Sequence, residues 1–449
     1  MLSQIVKALD ERILRDPALG RDLFDELIAA QRELGLVFRN HPTCPFLRPH
    51  IITRSRYAEV TQAAATIAQA FERLVAQALI DDELLKVFGL TAAEEKMARI
   101  DPGYSRLCVT SRLDAYVTET GFQFLEYNAE TPAGVGDQMQ LEKVLFGLSH
   151  VRDLLQSHRH WRPEPHRQLL AALLAAYRDW GGKEQPPNIA IVDWKGVPTE
   201  SEFCVLQKYF ASEGCPTIIA DPRDLRYDGG HLLAGDFRID ILYKRIIIHE
   251  FLEQCGDGHP LARAYADGRV CIANSFRTKI AHKKAGFAVL SDPRYADLFT
   301  PEEIAVFQRH IPWTRRVERG QTTFRGADQD LVSLLQQERQ RFVLKPNDDY
   351  GGHGVFIGWE TSPNQWQDAI SLALDRPYVV QERAAIRRVP FPTFGTLSDR
   401  VRLEEMFIDF NPFLFHNEAE GALVRLSSSS LLNVTAGGGQ TALLVLEDM

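Results

Sequence analysis

The stretch LKPNDDYGGHGV, residues 344–355, carries the strongest local signal in this sequence. An apolar run ends at Lys345, a glycine-rich turn with Gly351 and Gly352 follows, and a second apolar run begins. Glycines let backbone N–H groups close over phosphates, and Lys345 could bring positive charge to an α- or β-phosphate. The order strand, turn, strand differs from the P-loop, where a helix follows the glycines. A hairpin turn with a surface lysine is the alternative explanation.

A second motif lies much earlier, in SRLDAY (111–116) and FLEYNAETP (124–132). Residues two apart on a strand share a face, so Arg112 lies beside Asp114 and Glu126 beside Asn128. All four side chains converge if the two strands pair. Two carboxylates and an amide oxygen suit Mg²⁺, which completes its octahedron with substrate phosphates. A cross-strand salt bridge on a solvated sheet face is the alternative.

Three weaker motifs follow in the C-terminal half. SFRTKIAHKKAGFAVLSD (275–292) is a basic cluster that opens a helix, from which Lys284 or its neighbour Lys283 could reach a phosphate. PYVVQERAAI (377–386) is a strand whose end, with Gln381 and Glu382, could contact adenine. Arg425 lies mid-strand among apolar residues and needs an anionic partner if it is buried. The glycines 437–439 and the 347–354 loop are candidates for a lid.

The composition indicates a globular protein with more than one lobe. The chain has 449 residues, 45% hydrophobic and 25% charged, with a net charge of −9. An acidic chain is a poor nucleic-acid binder, because phosphate contacts need a basic face. The six cysteines form no C-x-x-C pair and are expected to be reduced and mostly buried thiols. We find no apolar run of membrane-spanning length and no signal-peptide h-region, so the expected compartment is the cytoplasm.

The predicted fold class is α/β, with α+β character, divided into four regions. Residues 1–104 form a helical N-terminal region, and residues 105–183 carry the metal-binding strands and following helices. Residues 184–270 contain strand, helix and strand at the spacing of a small parallel sheet. Residues 271–449 form the nucleotide-binding lobes with the glycine-rich loop and lid.

Taken together and in this order, the motifs resemble circularly permuted ATP-grasp ligases, in the branch of glutathionylspermidine synthetase and eukaryotic-type glutathione synthetase. In ordinary ATP-grasp enzymes the E-x-N motif follows the nucleotide lysines, whereas here EYN precedes LKPNDDYGG. The resemblance covers roughly 105–135 and 270–435. It implies an ATP-grasp fold with a small α/β domain on the substrate side.

The resemblance also implies roles for individual residues. Catalytic roles fall to Arg112, which faces the transferred phosphoryl group, and to Arg425, near the substrate and lid. The implied nucleotide and metal ligands are Lys284 (with Lys283 as the alternative), Lys345, Gly351, Gly352, Gln381 and Glu382 for ATP, and Asp114, Glu126, Asn128 and Asp349 for Mg²⁺, two ions in all. Asp349 stands where the family usually has glutamate. We interpret His231, His249 and His353 as ordinary surface or core histidines rather than as general bases.

The implied activity is an ATP-dependent carboxylate–amine ligase that forms an amide through an acyl phosphate. The substrates are then a small-molecule carboxylic acid and an amine, with no nucleic-acid or membrane partner, and a homodimer is the default assembly. Two alternatives share the same motifs: an ATP-grasp phosphotransferase, and a non-catalytic nucleotide-binding protein.

Overall fold

A computed structural model describes residues 2–38, 41–118, 121–349, 351–395, 400–429 and 438–448. The helices are α1 (Leu2–Arg15), α2 (Pro17–Glu33), α3 (Arg54–Ala78), α4 (Asp82–Val87), α5 (Ala92–Arg99), α6 (Val135–Gly147), α7 (Ser149–Ser157), α8 (Pro165–Asp179), α9 (Glu200–Ser212), α10 (Ile248–Cys255), α11 (Pro260–Ala266), α12 (Thr278–His282), α13 (Ala285–Leu290), α14 (Pro301–His310), α15 (Leu331–Gln337) and α16 (Pro363–Asp375).

The strands of the first half are β1 (Val37–Phe38), β2 (His41–Pro42), β3 (His50–Thr53), β4 (Thr110–Val117), β5 (Phe122–Asn128), β6 (His160–Trp161), β7 (Ile189–Val192), β8 (Thr217–Ala220), β9 (Leu225–Asp228), β10 (His231–Ala234), β11 (Phe237–Arg238) and β12 (Ile241–Lys244). Those of the second half are β13 (Cys271–Ala273), β14 (Thr314–Arg316), β15 (Gln321–Phe324), β16 (Ala327–Asp330), β17 (Phe342–Pro346), β18 (Phe356–Ile357), β19 (Tyr378–Glu382), β20 (Arg388–Gly395), β21 (Arg400–Phe415), β22 (Glu418–Ser427), β23 (Gly439–Thr441) and β24 (Leu443–Leu446).

The central sheet joins the two ends of the sequence. Its order is β23-β22-β21-β4-β5, and β20 also pairs with β21. The strands β4 and β21 are antiparallel neighbours, with Arg112 opposite Phe413 and Tyr116 opposite Asp409. More than 250 residues separate β5 from β20 in the sequence. The early strands β4 and β5 therefore join the late strands only through the long-range pairing of β4 with β21.

Two smaller sheets flank the central one. The sheet β14-β19-β17-β18 is antiparallel and carries the glycine-rich turn between β17 and β18. The sheet β13-β12-β7-β8 is parallel throughout, as the spacing of its strands predicted. Between residues 250 and 335 the short strands β13 and β14 and the β15–β16 hairpin alternate with helices, and such short strands with little alternation resemble loops in sequence.

The N-terminal region is mainly helical, as expected, and one of its strands pairs with the last strand of the chain. Its helix α3 contributes buried Ala64, Ile67 and Phe71 to the largest apolar core, and β3 pairs in parallel with β24. A capping box opens α5, with Thr91 and Glu94 bonded reciprocally. Four of the six free cysteines are buried. Among the described residues no helix is both long and apolar enough to span a membrane.

Candidate active site

A cleft of about 1150 Å³, open mouth included, lies where the central sheet meets the β14-β19-β17-β18 sheet. Most of the residues singled out in the sequence line it: Asp114, Glu126, Lys284, Lys345, Asp349, Gly351, Gly352, Gln381, Glu382 and Arg425. Arg112 and Asn128 are not among the described lining residues, but they belong to the same two strands. The fold therefore gathers two distant segments of sequence around one space.

The R-x-D and E-x-N motifs form a cross-strand ladder. In the antiparallel β4–β5 pair, Arg112 lies opposite Asn128 and Asp114 lies opposite Glu126. The register shifts between Asp114 and Ala115. Such a bulge turns the strand locally and redirects side chains next to binding sites. The two strands therefore pair as predicted and place the four residues at facing positions, and a metal-ligand role for Asn128 stays a prediction.

Asp114 is held by two arginines. Arg112 contacts it bidentately, with Nε 2.7 Å from Oδ1 and Nη2 3.0 Å from Oδ2, and Arg425 Nη2 lies 2.9 Å from Oδ2. Burial acts to raise the pKa of Asp114, but the two guanidinium groups outweigh it and hold the pKa below its ordinary value. Arg112 also donates to the carbonyl of Ala133. The carboxylate is therefore ionised and held in a fixed orientation at the cleft wall.

Asp409 and Asn411 on β21 are two residues of the site that the motif analysis missed. Asp409 Oδ2 accepts from Arg425 Nε at 2.8 Å, and Asp409 Oδ1 accepts from the Arg425 backbone N–H and from Asn411 Nδ2. Asp409 lines the cleft with a side chain only 2% exposed. The available signal was the D-x-N spacing, which places two polar residues on one face of the otherwise apolar strand FIDFNPFLF.

Two lysines, Lys284 and Lys345, line the cleft. Lys284 Nζ lies 2.7 Å from the carbonyl oxygen of Asp349 and 3.6 Å from Glu126. Lys345 Nζ lies 2.6 Å from Gln381 Oε1 and 3.4 Å from the carbonyl of Leu125. Burial lowers the pKa of Lys345 to about 8, although Glu126 opposes this change.

The glycine-rich loop has the backbone that its sequence requires. Gly351 and Gly352 have φ of +67° and +81°, a region that residues with a Cβ rarely adopt. At Gly354 a Cβ would lie 2.8 Å from Pro346. The described part of the loop lines the cleft through Asp349, Gly351, Gly352 and His353. Tyr350 and Gly437, part of the two lid candidates, lie outside the described residues.

An apolar slot forms the other half of the cleft. Its lining residues are Leu125, Val343, Val355, Ile357, Trp359 and Ile386. Gln381 Oε1 accepts from Lys345 Nζ, Gln381 Nε2 donates to Thr314 Oγ1, and the Glu382 backbone N–H donates to the Trp313 carbonyl. An apolar slot beside a polar wall matches a heteroaromatic base with attached phosphates. The adenine contacts of Gln381 and Glu382 stay a prediction.

Behind the loop lies a buried ion-pair network that the sequence did not reveal. Asp348 accepts from Lys279 and Lys283, each at 2.7 Å, and Lys283 also contacts Glu94 at 3.0 Å. Lys279 lies 3.4 Å from Glu130. Lys283 therefore belongs to this network, whereas Lys284 faces the cleft.

Glu130, His282 and Asp348 in this network lie close enough to share a metal ion. The ammonium groups of Lys279 and Lys283 already contact two of these residues, Asp348 and Glu130, and none of the three is among the described residues that line the cleft. We therefore interpret the network as an anchor that fixes the base of the glycine-rich loop.

The cleft residues fit Mg²⁺ better. Asp114, Glu126 and Asp349 supply carboxylate oxygens to one space, and hard cations such as Mg²⁺ are held by one or two carboxylates together with phosphate oxygens. Lys284 and Lys345 supply the positive charge that a triphosphate needs.

Comparison with known proteins gives consistent findings. A family model described as circularly permuted ATP-grasp type 2 matches residues 49–427. A Frankia casuarinae protein provisionally named a glutamate–cysteine ligase is 23% identical over 94% of this chain, which spans only 50% of that protein's length. An uncharacterized protein of Mycobacterium tuberculosis is 23% identical over 96% of this chain and 78% of its own length.

A solved structure shares the fold. It is a glutathione synthetase-like effector from Globodera pallida, 13% identical, with a TM-score of 0.61 over 96% of this chain and 98% of that chain.

Proposed function

Because the chain belongs to the circularly permuted ATP-grasp family, type 2, we propose that it is an ATP-dependent ligase that joins a carboxylic acid to an amine. The expected family and the α/β ATP-grasp fold class are confirmed by the match and by the shared fold. The observation that carries the proposal is the convergence of Asp114, Glu126, Lys284, Lys345 and Arg425 on one cleft. The provisional name of the Frankia relative, a glutamate–cysteine ligase, agrees with amide-bond formation.

The proposed reaction begins with phosphoryl transfer. A substrate carboxylate attacks the γ-phosphorus of ATP, the bond to the β,γ-bridging oxygen breaks, and ADP leaves with that electron pair. Such transfer needs positioning and charge neutralisation more than a protein nucleophile. The described cleft lining accordingly contains no serine, threonine or cysteine. Lys284 and Lys345 hold the phosphates, and Asp114, Glu126 and Asp349 would hold Mg²⁺, which would offset the negative charge of the phosphates.

The second step forms the amide. The amine nitrogen attacks the carbonyl carbon of the acyl phosphate, a tetrahedral oxyanion forms, and phosphate leaves as the amine loses its proton. Arg112 and Arg425 lie beside the metal carboxylate, where their fixed positive charges stabilise the acyl phosphate and the oxyanion. Water must be excluded at this stage, because an acyl phosphate hydrolyses readily.

A group of polar residues next to this site is our candidate for the substrate pocket. Arg245 Nε, Glu202 Oε2 and Gln440 Oε1 are buried and have no hydrogen-bond partner among the described residues, although Arg245 Nη2 and Glu202 Oε2 form a loose ion pair at 3.9 Å. Gln440 lies opposite Arg425 in the β22–β23 ladder, and Arg245 and Arg112 contact the adjacent carbonyls of Pro132 and Ala133. Buried polar atoms without partners favour a polar ligand. Arg245→Ala should raise the KM of one organic substrate at unchanged ATP affinity.

The test uses hydroxylamine as a universal amine. Purified protein is given Mg²⁺, ATP, hydroxylamine and pools of carboxylic acids, and ADP and hydroxamate are measured together. An acyl phosphate reacts with hydroxylamine to give a hydroxamate, so we expect both products in equal amounts with one acid pool. Glu126→Gln should abolish both, because it removes a charged oxygen from the metal site without changing its shape.

The matched control is Glu83→Gln, which alters a carboxylate 84% exposed on α4. It should behave like wild type. ADP with a stable phosphorylated alcohol and no hydroxamate would instead establish a phosphotransferase. Tight ATP binding without any ADP in all pools would refute the ligase proposal and favour a non-catalytic role.

A further inference from the structure

Arg425 contacts two carboxylates, and it makes more contacts with Asp409 than with Asp114. Asp409 receives Arg425 Nε at 2.8 Å, Nη2 at 2.6 Å and the backbone N–H at 2.9 Å, whereas Asp114 receives only Nη2, at 2.9 Å. Asp409 thus forms the larger part of the contact. Charge-assisted bonds of this kind are short and directional, so they fix the guanidinium plane.

Asp409 is itself anchored by Asn411. Asn411 Nδ2 donates to Asp409 Oδ1 at 2.8 Å, and Asn411 Oδ1 accepts from the Ala115 backbone N–H at 3.0 Å. Ala115 is the residue at which the β4–β5 register shifts, next to Asp114. The D-x-N pair on β21 therefore joins the arginine of β22 to the bulge of β4.

The position of Asp114 creates a competition. Its oxygens accept two bonds from Arg112 and one from Arg425, yet the proposed function requires the same oxygens to bind Mg²⁺. When the metal takes an oxygen, Arg425 loses that partner. A guanidinium without a partner regains side-chain conformational entropy when it leaves the cleft.

From this we infer that Asp409 is a positioning residue that, with Asn411, holds Arg425 in the cleft while Asp114 exchanges Arg425 for the metal ion. This inference rests on the proposed function. Asp409 is not itself placed as a metal ligand, because its oxygens are taken by Arg425 and Asn411. Loss of the Asp409 charge leaves Arg425 with Asp114 as its only anionic partner in the contacts described, and the tighter pair then opposes metal binding.

The experiment measures Mn²⁺ binding in the presence of the non-hydrolysable ATP analogue adenylyl imidodiphosphate, by electron paramagnetic resonance of free Mn²⁺. Asp409→Asn should weaken the Mn²⁺ Kd at least tenfold, and Arg425→Gln should leave it as tight as wild type or tighter. The double variant should match Arg425→Gln, because without the arginine there is no competitor for Asp114. A purely structural role of Asp409 would not produce this reversal.

Asp10→Asn is the matched control, since Asp10 forms a comparably buried pair with Arg48 at 2.7 Å outside the cleft. It should lose stability and keep the wild-type Mn²⁺ Kd. If Asp409→Asn stays within twofold of wild type, the inference is wrong and the proposed function stands. If Asp409→Asn cannot be purified, the Arg425→Gln result decides, and weaker Mn²⁺ binding there overturns the inference. Failure of wild type to bind Mn²⁺ with the analogue would overturn both.

Discussion

The buried charge of Lys345 is expected to destabilise the folded protein, so Lys345→Met should increase the free energy of unfolding. Burial lowers its pKa from 10.5 to about 8, a difference of about 2.5. At about 1.4 kcal/mol per tenfold change in proton affinity, keeping this ammonium charged costs about 3 kcal/mol at pH 7. Methionine removes the charge and retains most of the volume, but loses bonds to Gln381 and Leu125 worth about 1 kcal/mol. The variant should therefore be about 2 kcal/mol more stable.

The sign of the pH dependence provides a second check. A lysine whose folded pKa is lowered destabilises the fold fully below pH 8, and the cost disappears as pH rises toward 10.5. The gap between Lys345→Met and wild type in nucleotide-free urea denaturation should thus shrink between pH 7 and pH 9.5. ATP affinity of the variant should fall about 100-fold, since a charged partner of the phosphates is lost.

Lys283→Met is the appropriate control. Lys283 is also buried, but it pairs with Asp348 and Glu94, so its removal leaves buried carboxylates short of charge and should cost about 3–5 kcal/mol. The reasoning is refuted if Lys345→Met is destabilised to a similar extent, because Lys345 would then be a structural residue.

Three further outcomes are expected. ATP Kd should weaken above pH 8 as Lys345 loses its proton, and Lys345→Arg should remove this dependence in calorimetric titrations. Trp359→Ala should weaken ATP binding at least tenfold but leave tripolyphosphate binding unchanged, since Trp359 lines the apolar slot. Burial acts to raise the pKa of Glu130, but Lys279 and His282 outweigh burial and hold this pKa at about 2. The ionised Glu130 carboxylate therefore stabilises the fold above pH 4.5, and this stabilisation is lost as pH falls toward 2. Glu130→Gln should flatten unfolding midpoints over that range.

The sequence predicted those parts of the site that depend on local spacing. The two-residue periodicity of a strand placed Arg112 with Asp114 and Glu126 with Asn128, and the pairing of β4 with β5 then joined them. The glycine-rich turn between two strands was likewise a local feature. The parallel sheet of the α/β unit followed from the alternation of strand and helix.

Contacts between distant segments could not be predicted in the same way. The Arg425–Asp114 contact joins residues 311 positions apart, and no local pattern specifies which strands become neighbours. Asp348 and Asp349 are neighbours in the sequence, yet the Asp348 side chain contacts Lys279 and Lys283 while Asp349 lines the cleft. Whether a loop carboxylate such as Asp348 is buried depends on the packing of segments that are distant in the sequence.

The charged residues of the cleft come from strands that are far apart in the sequence. Asp114 comes from the early strand β4, Arg425 and Asp409 come from the late strands β22 and β21, and the lysines come from segments between them. The arginines and carboxylates of the cleft neutralise one another, so little net charge is buried. Their ion pairs nevertheless hold oriented charges at the site. A metal–nucleotide complex brings both signs at once, which lets Asp114 change partners while the local charge stays balanced. Under the proposed function, this exchange would free part of the Arg425 guanidinium for the acyl phosphate only when the metal–nucleotide complex is bound.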